Sequence, residues 1–228
     1  EDTTNYTTMA PLKWGTMFEA MAIRSYSQGR EDIPVHEFGL IKHPFLDNFG
    51  ASPDGINDLG IMIEIKCPYS RDIIDNSIPY KYYMQIQGQL AVCQLEQCDY
   101  IECDFETFES VTRYMELIDP DEKTKHGIIA EYKNRQTDEY EYMYSREYSR
   151  PSDAAADIEE KMKAFASERT DILFIKLTPW RLKHINVQRV RIKSTPYRWK
   201  IIINLQPFLC SKNSRWRTRV NSQVVYLQ

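Results

Sequence analysis

Four ionisable residues are spaced so that they could act on one substrate atom. Asp54 stands in a Ser52-Pro53-Asp54-Gly55 bend, Glu64 and Lys66 follow ten and twelve residues later, and Glu19 lies well upstream. Side chains two apart on a strand emerge on one face, about 7 Å apart along it, so Glu64 and Lys66 are expected side by side. Asp54 at the mouth of an adjoining strand can join Glu64 on one hard cation. Oxygen ligands of this kind suit Mg²⁺, with Mn²⁺ as the alternative, ions that keep several waters and bridge to phosphates. Such an ion neutralises charge on a phosphoryl transition state and eases ionisation of a bound water, which Lys66 could orient or deprotonate. Each piece alone has an ordinary explanation: Pro-Asp-Gly is common turn chemistry, an alternating charged pair is commonly a solvated strand edge, and a glutamate on an amphipathic helix commonly faces water.

The elements that must position these residues can be read from periodicity. Leu12 to Gln28 repeats Trp14, Met17, Phe18, Met21, Ala22 and Tyr26 at helical spacing before Gly29, and this helix carries Glu19. His36 to Ile41 and Asn48 to Ser52 read as strands around a Pro44 turn. Ile61 to Lys66 alternates, placing Ile61, Ile63 and Ile65 toward a core and Met62, Glu64 and Lys66 opposite, and it stops at Pro68. A helix opens at Ser77 with Pro79 in its first turn and runs to about Leu95. On it Gln85 and Gln89 share a face at i and i+4 while Gln87 points elsewhere. Asp99 to Phe105 is again a strand, so Leu12 to Phe105 forms an α/β core. Beyond it come a hairpin, Ile128 to Tyr132 with Tyr140 to Tyr144, a capped helix from Ser152 to Glu168, and two late strands, 172–175 and 184–192.

Four blocks in this core resemble the PD-(D/E)XK nucleases, and among them the YqaJ-like viral recombinases and lambda-type exonucleases. They are Trp14-Gly15-Thr16-Met17-Phe18-Glu19, Phe49-Gly50-Ala51-Ser52-Pro53-Asp54-Gly55, Glu64-Ile65-Lys66-Cys67-Pro68, and Tyr82-Tyr83-Met84-Gln85-Ile86-Gln87-Gly88-Gln89-Leu90. An isolated E-x-K carries little; four blocks in order carry much. The resemblance implies a restriction-endonuclease-like α/β core, a central mixed β-sheet flanked by helices, within a single nuclease domain over 1–228 whose core is about 12–105. It further implies Asp54, Glu64 and the Ile65 carbonyl as metal ligands, Glu19 as a ligand or a carboxylate just behind them, Lys66 acting on the water, and one of Gln85 or Gln87 as a positioner. The lambda-type pattern favours Gln87, which helix geometry alone does not choose. Lys81, Tyr82, Ser52 and Arg24 are assigned to the DNA.

The activity so implied is Mg²⁺-dependent hydrolysis of DNA phosphodiesters, a 5′ to 3′ exonuclease on the ends of linear double-stranded DNA in recombination, repair or viral genome processing. A structure-specific endonuclease and a non-catalytic DNA-binding recombination accessory are the alternatives. Candidate partners are a single-strand annealing protein and further copies of the chain, a ring trimer by resemblance. Only 13 residues precede Trp14, and the chain starts at Glu1 without an initiator Met, which is expected of a trimmed or partial chain.

Composition bears on the partner. The net charge of −4 hides a split: residues up to 171 hold 17 basic and all 33 acidic side chains, whereas the last 57 hold 12 basic and no acidic ones. This asymmetry calls for a polyanion or for docking of the basic segment on the acidic body, and Trp180, Tyr197, Trp199 and Trp216 among the arginines suit base stacking. No run approaches the roughly 18 apolar residues of a membrane span, and the first residues lack a signal-peptide layout, so an intracellular place is expected. Five cysteines then read as free thiols; Cys93, Cys98 and Cys103, expected on a helix, a turn and a strand, match no iron-sulfur spacing.

Overall fold

The computed structural model describes residues 10–117, 124–169 and 172–191. Most of the basic C-terminal segment, with Tyr197, Trp199, Trp216 and Cys210, lies outside the described residues. A seven-stranded mixed sheet runs in the order β1 (Val35–His36), β4 (Gly55–Asn57), β5 (Met62–Lys66), β6 (Gln97–Thr107), β9 (Ile172–Arg191), β7 (Lys125–Asn134), β8 (Tyr140–Tyr144). Only β5 and β6 pair in parallel; every other neighbour is antiparallel. A separate two-stranded ribbon joins β2 (Ile41–Lys42) to β3 (Gly50–Ala51). The helices are α1 (Ala10–Gln28), α2 (Tyr80–Cys93), α3 (Val111–Met115) and α4 (Pro151–Glu168). A central mixed sheet flanked by helices is therefore what the sequence specified.

The reason lies in β5. Its isoleucines alternate as expected, and Ile63 and Ile65 meet Met17, Phe18, Met21 and Ala22 of α1, with the Phe18 ring stacked 4.3 Å from Phe105. The other face is not solvated. Met62 packs with Ile86 and Leu90 of α2 and with Tyr100 of β6, so both faces of β5 are covered. Helix on each side is the usual consequence of a parallel crossover such as β5-α2-β6. This sandwich is what makes Glu64 a buried carboxylate rather than an edge charge.

Several expectations are corrected. Gly55–Asn57 continues into strand where only a bend was read; Gly55 lacks the Cβ that would meet Val35 at 2.5 Å, so β1 can lie against β4. The short helix α3 was missed. Pro151, not Ser152, opens α4, and Arg150 precedes it with no side-chain cap. Pro79 precedes α2 rather than lying inside its first turn. The two late strands are one, because Pro179 breaks nothing: it faces Ile128, whose carbonyl accepts from the Ser145 N–H at 3.0 Å, so the missing proline donor leaves no gap in the ladder. Cys98 lies in β6 and not in a turn; it packs toward α2 while Cys103 packs toward α1, so the two thiols are on opposite sides of the sheet. Trp180 is fully buried between Phe18 and Phe105 and cannot stack on a base. Among the described residues no helix is long and apolar enough to cross a membrane.

Candidate active site

Glu64 and Lys66 project from β5 toward α2, as their spacing requires. Glu64 has no exposed surface, and it is satisfied from three sides: Lys66 Nζ and Gln85 Nε2 donate to Oε1, the latter at 2.7 Å, and Gln89 Nε2 donates to Oε2 at 2.7 Å. Gln85 and Gln89 reach it together because four residues are one helical turn. Gln89 also approaches the Ser52 carbonyl at 3.4 Å, tying α2 to the segment that carries Asp54. Asp54 closes the set from the bend before β4: its Oδ2 accepts the Ile65 N–H at 2.6 Å.

A cavity of about 560 Å³ opens onto this group, lined among others by Gly15, Thr16, Glu19, Asp54, Ile65, Lys66, Arg71, Tyr82 and Gln85. Asp54 is pushed up to about 7, first by burial and then by the neighbouring Glu64, with Lys66 and the Ile65 N–H pulling the other way. Burial would lower the Lys66 ammonium, yet Glu64 and Asp54 outweigh it and hold Lys66 above its ordinary value. Glu19 is raised chiefly because protein crowds it, then by Glu37 and Glu64 against Lys66; much of its side-chain area still faces solvent, so screening tempers that rise.

The charge balance here is lopsided. Glu19, Asp54 and Glu64 outnumber Lys66, a formal excess of two negative charges, while Arg71 in the same lining is paired with Glu102. A carboxyl pushed up to about 7 by burial and then by a neighbouring carboxylate would be relieved by a dication, for which hard oxygens are natural ligands. The donor set thus fits Mg²⁺ or Mn²⁺ by chemistry. It is not closed as a cage: among the described residues no three His, Cys, Asp or Glu side chains form a group ready to hold a metal ion. Glu64 accepts instead from Lys66, Gln85 and Gln89.

Gln87 and three of the four residues assigned to the DNA, Arg24, Ser52 and Lys81, are not among the cavity's lining residues. Gln87 lies on another side of α2, does not line the cavity, and its amide nitrogen is buried without a partner; Gln89, one turn beyond Gln85, holds Glu64 instead. The i, i+4 spacing was the signal that could have found it. Arg24 is exposed and directs its guanidinium to the Ser145 carbonyl at 3.2 Å, outside the cavity lining. Ser52 is exposed, its hydroxyl donating to the Phe38 carbonyl at 3.2 Å. Lys81 sits 4.6 Å above the Tyr82 ring, and Lys66 lies 5.1 Å from the same ring, so Tyr82 gathers cations at the cavity rim. Arg71, 5.6 Å from that ring, was not singled out from sequence.

Residues 1–96 match the YqaJ-like viral recombinase domain. All of Glu19, Asp54, Glu64, Lys66, Gln85 and Gln89 fall inside this YqaJ-like part. An uncharacterized protein, R354, of Acanthamoeba polyphaga mimivirus is 24% identical over 231 residues, covering 85% of this chain and 42% of that protein. The chain thus spans less than half the length of the curated relative it matches. Two solved structures of LHK-Exo, an alkaline exonuclease from Laribacter hongkongensis, share 26% identity; the one in complex with dAMP covers 71% of this chain and 69% of its own at a TM-score of 0.37, the other 70% and 69% at 0.38. At such scores the backbones superpose only loosely.

Proposed function

We propose that the chain is a metal-dependent deoxyribonuclease, and most specifically an exonuclease on linear double-stranded DNA ends, acting inside the cell in recombination, repair or viral genome processing. The observation that carries this reading is the Asp54–Glu64–Lys66 group, two carboxylates to one ammonium with Glu19 nearby, of which Asp54, Lys66 and Glu19 line an open cavity within the part that matches the YqaJ-like domain. Asp54, Glu64, the Ile65 carbonyl and Glu19 would hold Mg²⁺ or Mn²⁺, which supplies charge neutralisation at the phosphate and a more acidic water. Lys66, kept charged by its neighbours, orients the attacking water and faces the phosphate rather than removing a proton. Gln85 and Gln89 hold the Glu64 carboxylate in place beside Lys66. In-line attack leaves a 3′-hydroxyl and a 5′-phosphate. Polarity from the 5′ end, a ring trimer and a single-strand annealing partner belong to the same proposal by resemblance.

End-labelled linear duplex and covalently closed circles, each with Mg²⁺ or EDTA, test it. Loss of the linear substrate alone, only with metal, is expected; cutting of the circle favours a structure-specific endonuclease, and no cutting of either overturns the reading. The basic segment has a part in this proposal as well. Within β9, Arg181, Lys183 and Arg189 already pair with Glu106, Asp104 and Asp99 of β6, so this stretch docks on the acidic body. Phosphate contacts of the basic segment are therefore not assigned to Arg181, Lys183 or Arg189. Removing 192–228 should weaken DNA binding and reduce its log-salt slope by about 0.9 for each phosphate no longer neutralised, read by anisotropy titrations at several salt concentrations.

A further inference from the structure

Directly beside Lys66 in the parallel register stands Glu102 of β6, and two residues before it Tyr100 stands beside Glu64. Glu102 is fully buried, accepts the Tyr100 hydroxyl at 2.9 Å on Oε1, and takes the Arg71 guanidinium on the same oxygen; its Oε2 has no partner. A buried ion pair adds little to stability, since apolar residues of like volume serve as well or better. The role of Glu102 is therefore sought in its charged partner. Arg71 is the clue: its side chain is one-third exposed and lines both the catalytic cavity and a second one of about 810 Å³ that shares Pro68 to Arg71 with it. Its bonds to Glu102 and to the Asp72 carbonyl, the latter at 3.3 Å, use two of the five N–H donors a guanidinium carries. The Tyr82 ring lies 5.6 Å from the guanidinium and is itself tilted against Tyr100.

We propose that Glu102 is a positioning residue: it holds Arg71 where the two cavities meet, so that the remaining guanidinium donors bind a phosphate of the DNA strand next to the one at Asp54 and Glu64. This rests on the nuclease reading for its substrate, and a planar fork suits a phosphate. Charge alone predicts the opposite of positioning. Removing the Glu102 charge would, by Coulomb's law only, tighten the hold on a polyanion; losing the orientation of Arg71 loosens it.

The test is anisotropy binding of a short 5′-phosphorylated duplex in EDTA over a salt series, alongside steady-state cutting in Mg²⁺. Arg71→Ala should bind several-fold more weakly with a log-salt slope smaller by about 0.9. Glu102→Gln should also bind more weakly, and the double variant no more weakly than Arg71→Ala, because both act through one guanidinium. In cutting, KM should rise for each while kcat holds. Arg71→Lys keeps the charge at a part-exposed position but loses the fork, so it should match Glu102→Gln even if the latter folds poorly. Binding by Glu102→Gln equal to or tighter than wild type, additive losses in the double variant, or full affinity in Arg71→Lys each overturn the inference. A wild type that binds but does not cut overturns the nuclease reading alone, and the affinity comparison still decides the role of Glu102.

Discussion

Two fully buried carboxylates sit on adjacent strands, Glu64 on β5 and Asp99 on β6, and their surroundings differ in one respect. Asp99 is answered on every side: Arg30 Nη2 at 2.9 Å, Arg189 Nε at 3.1 Å and the Tyr26 hydroxyl at 2.7 Å, with Asn57 completing the chain onto that hydroxyl at 3.2 Å. Burial and Asp99 together push the Tyr26 phenol up to about 12, so it remains a donor. Glu64 shares one lysine with Asp54 and Glu19. The first cluster is saturated and needs nothing from outside; the second is left negative, and Glu64 adds to the rise that burial imposes on Asp54. Glu64 and Asp99 thus differ in countercharge and not in burial.

The largest expected effects test that contrast directly. Lys66→Ala should slow cutting of linear duplex by a factor on the order of 10² to 10⁴ while leaving the protein folded. Asp99→Asn should do the reverse, costing about 3 kcal/mol in chemical denaturation because two guanidinium groups lose their partner, with kcat of the folded fraction kept. Equal loss of kcat in folded Asp99→Asn would erase the distinction.

A second pair concerns pH and metal. Asp54 binds its proton more tightly folded than unfolded, so the folded state holds more protons between about pH 4 and 7 and stability falls as pH rises through that window. The fall should be on the order of a few kcal/mol without metal, and Asp54→Asn should flatten it and melt higher near pH 8. Mg²⁺ should raise the melting temperature of the wild type more at pH 8 than at pH 6, because Asp54 must shed its proton to bind. Asp99→Asn should keep that Mg²⁺ shift and Asp54→Asn lose it; the same shift in both would place the metal elsewhere.

The smallest effect separates the glutamines. Gln89→Ala should cost about tenfold in cutting, the weight of one hydrogen bond to a buried charge, whereas Gln87→Ala should leave it unchanged. A rate loss in Gln87→Ala that exceeds the loss in Gln89→Ala would return the positioning role to the residue that the lambda-type pattern favoured.

Much of this site is legible in the chain itself. A period of two on Ile61–Lys66 puts Glu64 and Lys66 on one face, a period near 3.6 on α1 and α2 sets which faces are apolar, and Asp54 is delivered by a bend because Pro and Gly flank it. Local spacing decides these because they depend only on backbone geometry within a few residues. The sequence also discloses the charge partition, though not where it acts: Arg181, Lys183 and Arg189 turn out to be paired with β6.

Tertiary structure alone decides which charges lack partners. Residues 30, 99 and 189 converge on one point only because β9 lies antiparallel to β6 in a register that sets Arg189 beside Asp99. Residues 71 and 102 meet only because the segment after β5 turns back over its parallel neighbour. Whether Glu64 is an edge charge or a buried one depended on α2 packing across β5, and whether Gln87 or Gln89 reaches it depended on the rotation of that helix over the sheet. Electrostatic energies depend on distance through space and on water excluded by packing, quantities that no spacing along a chain contains.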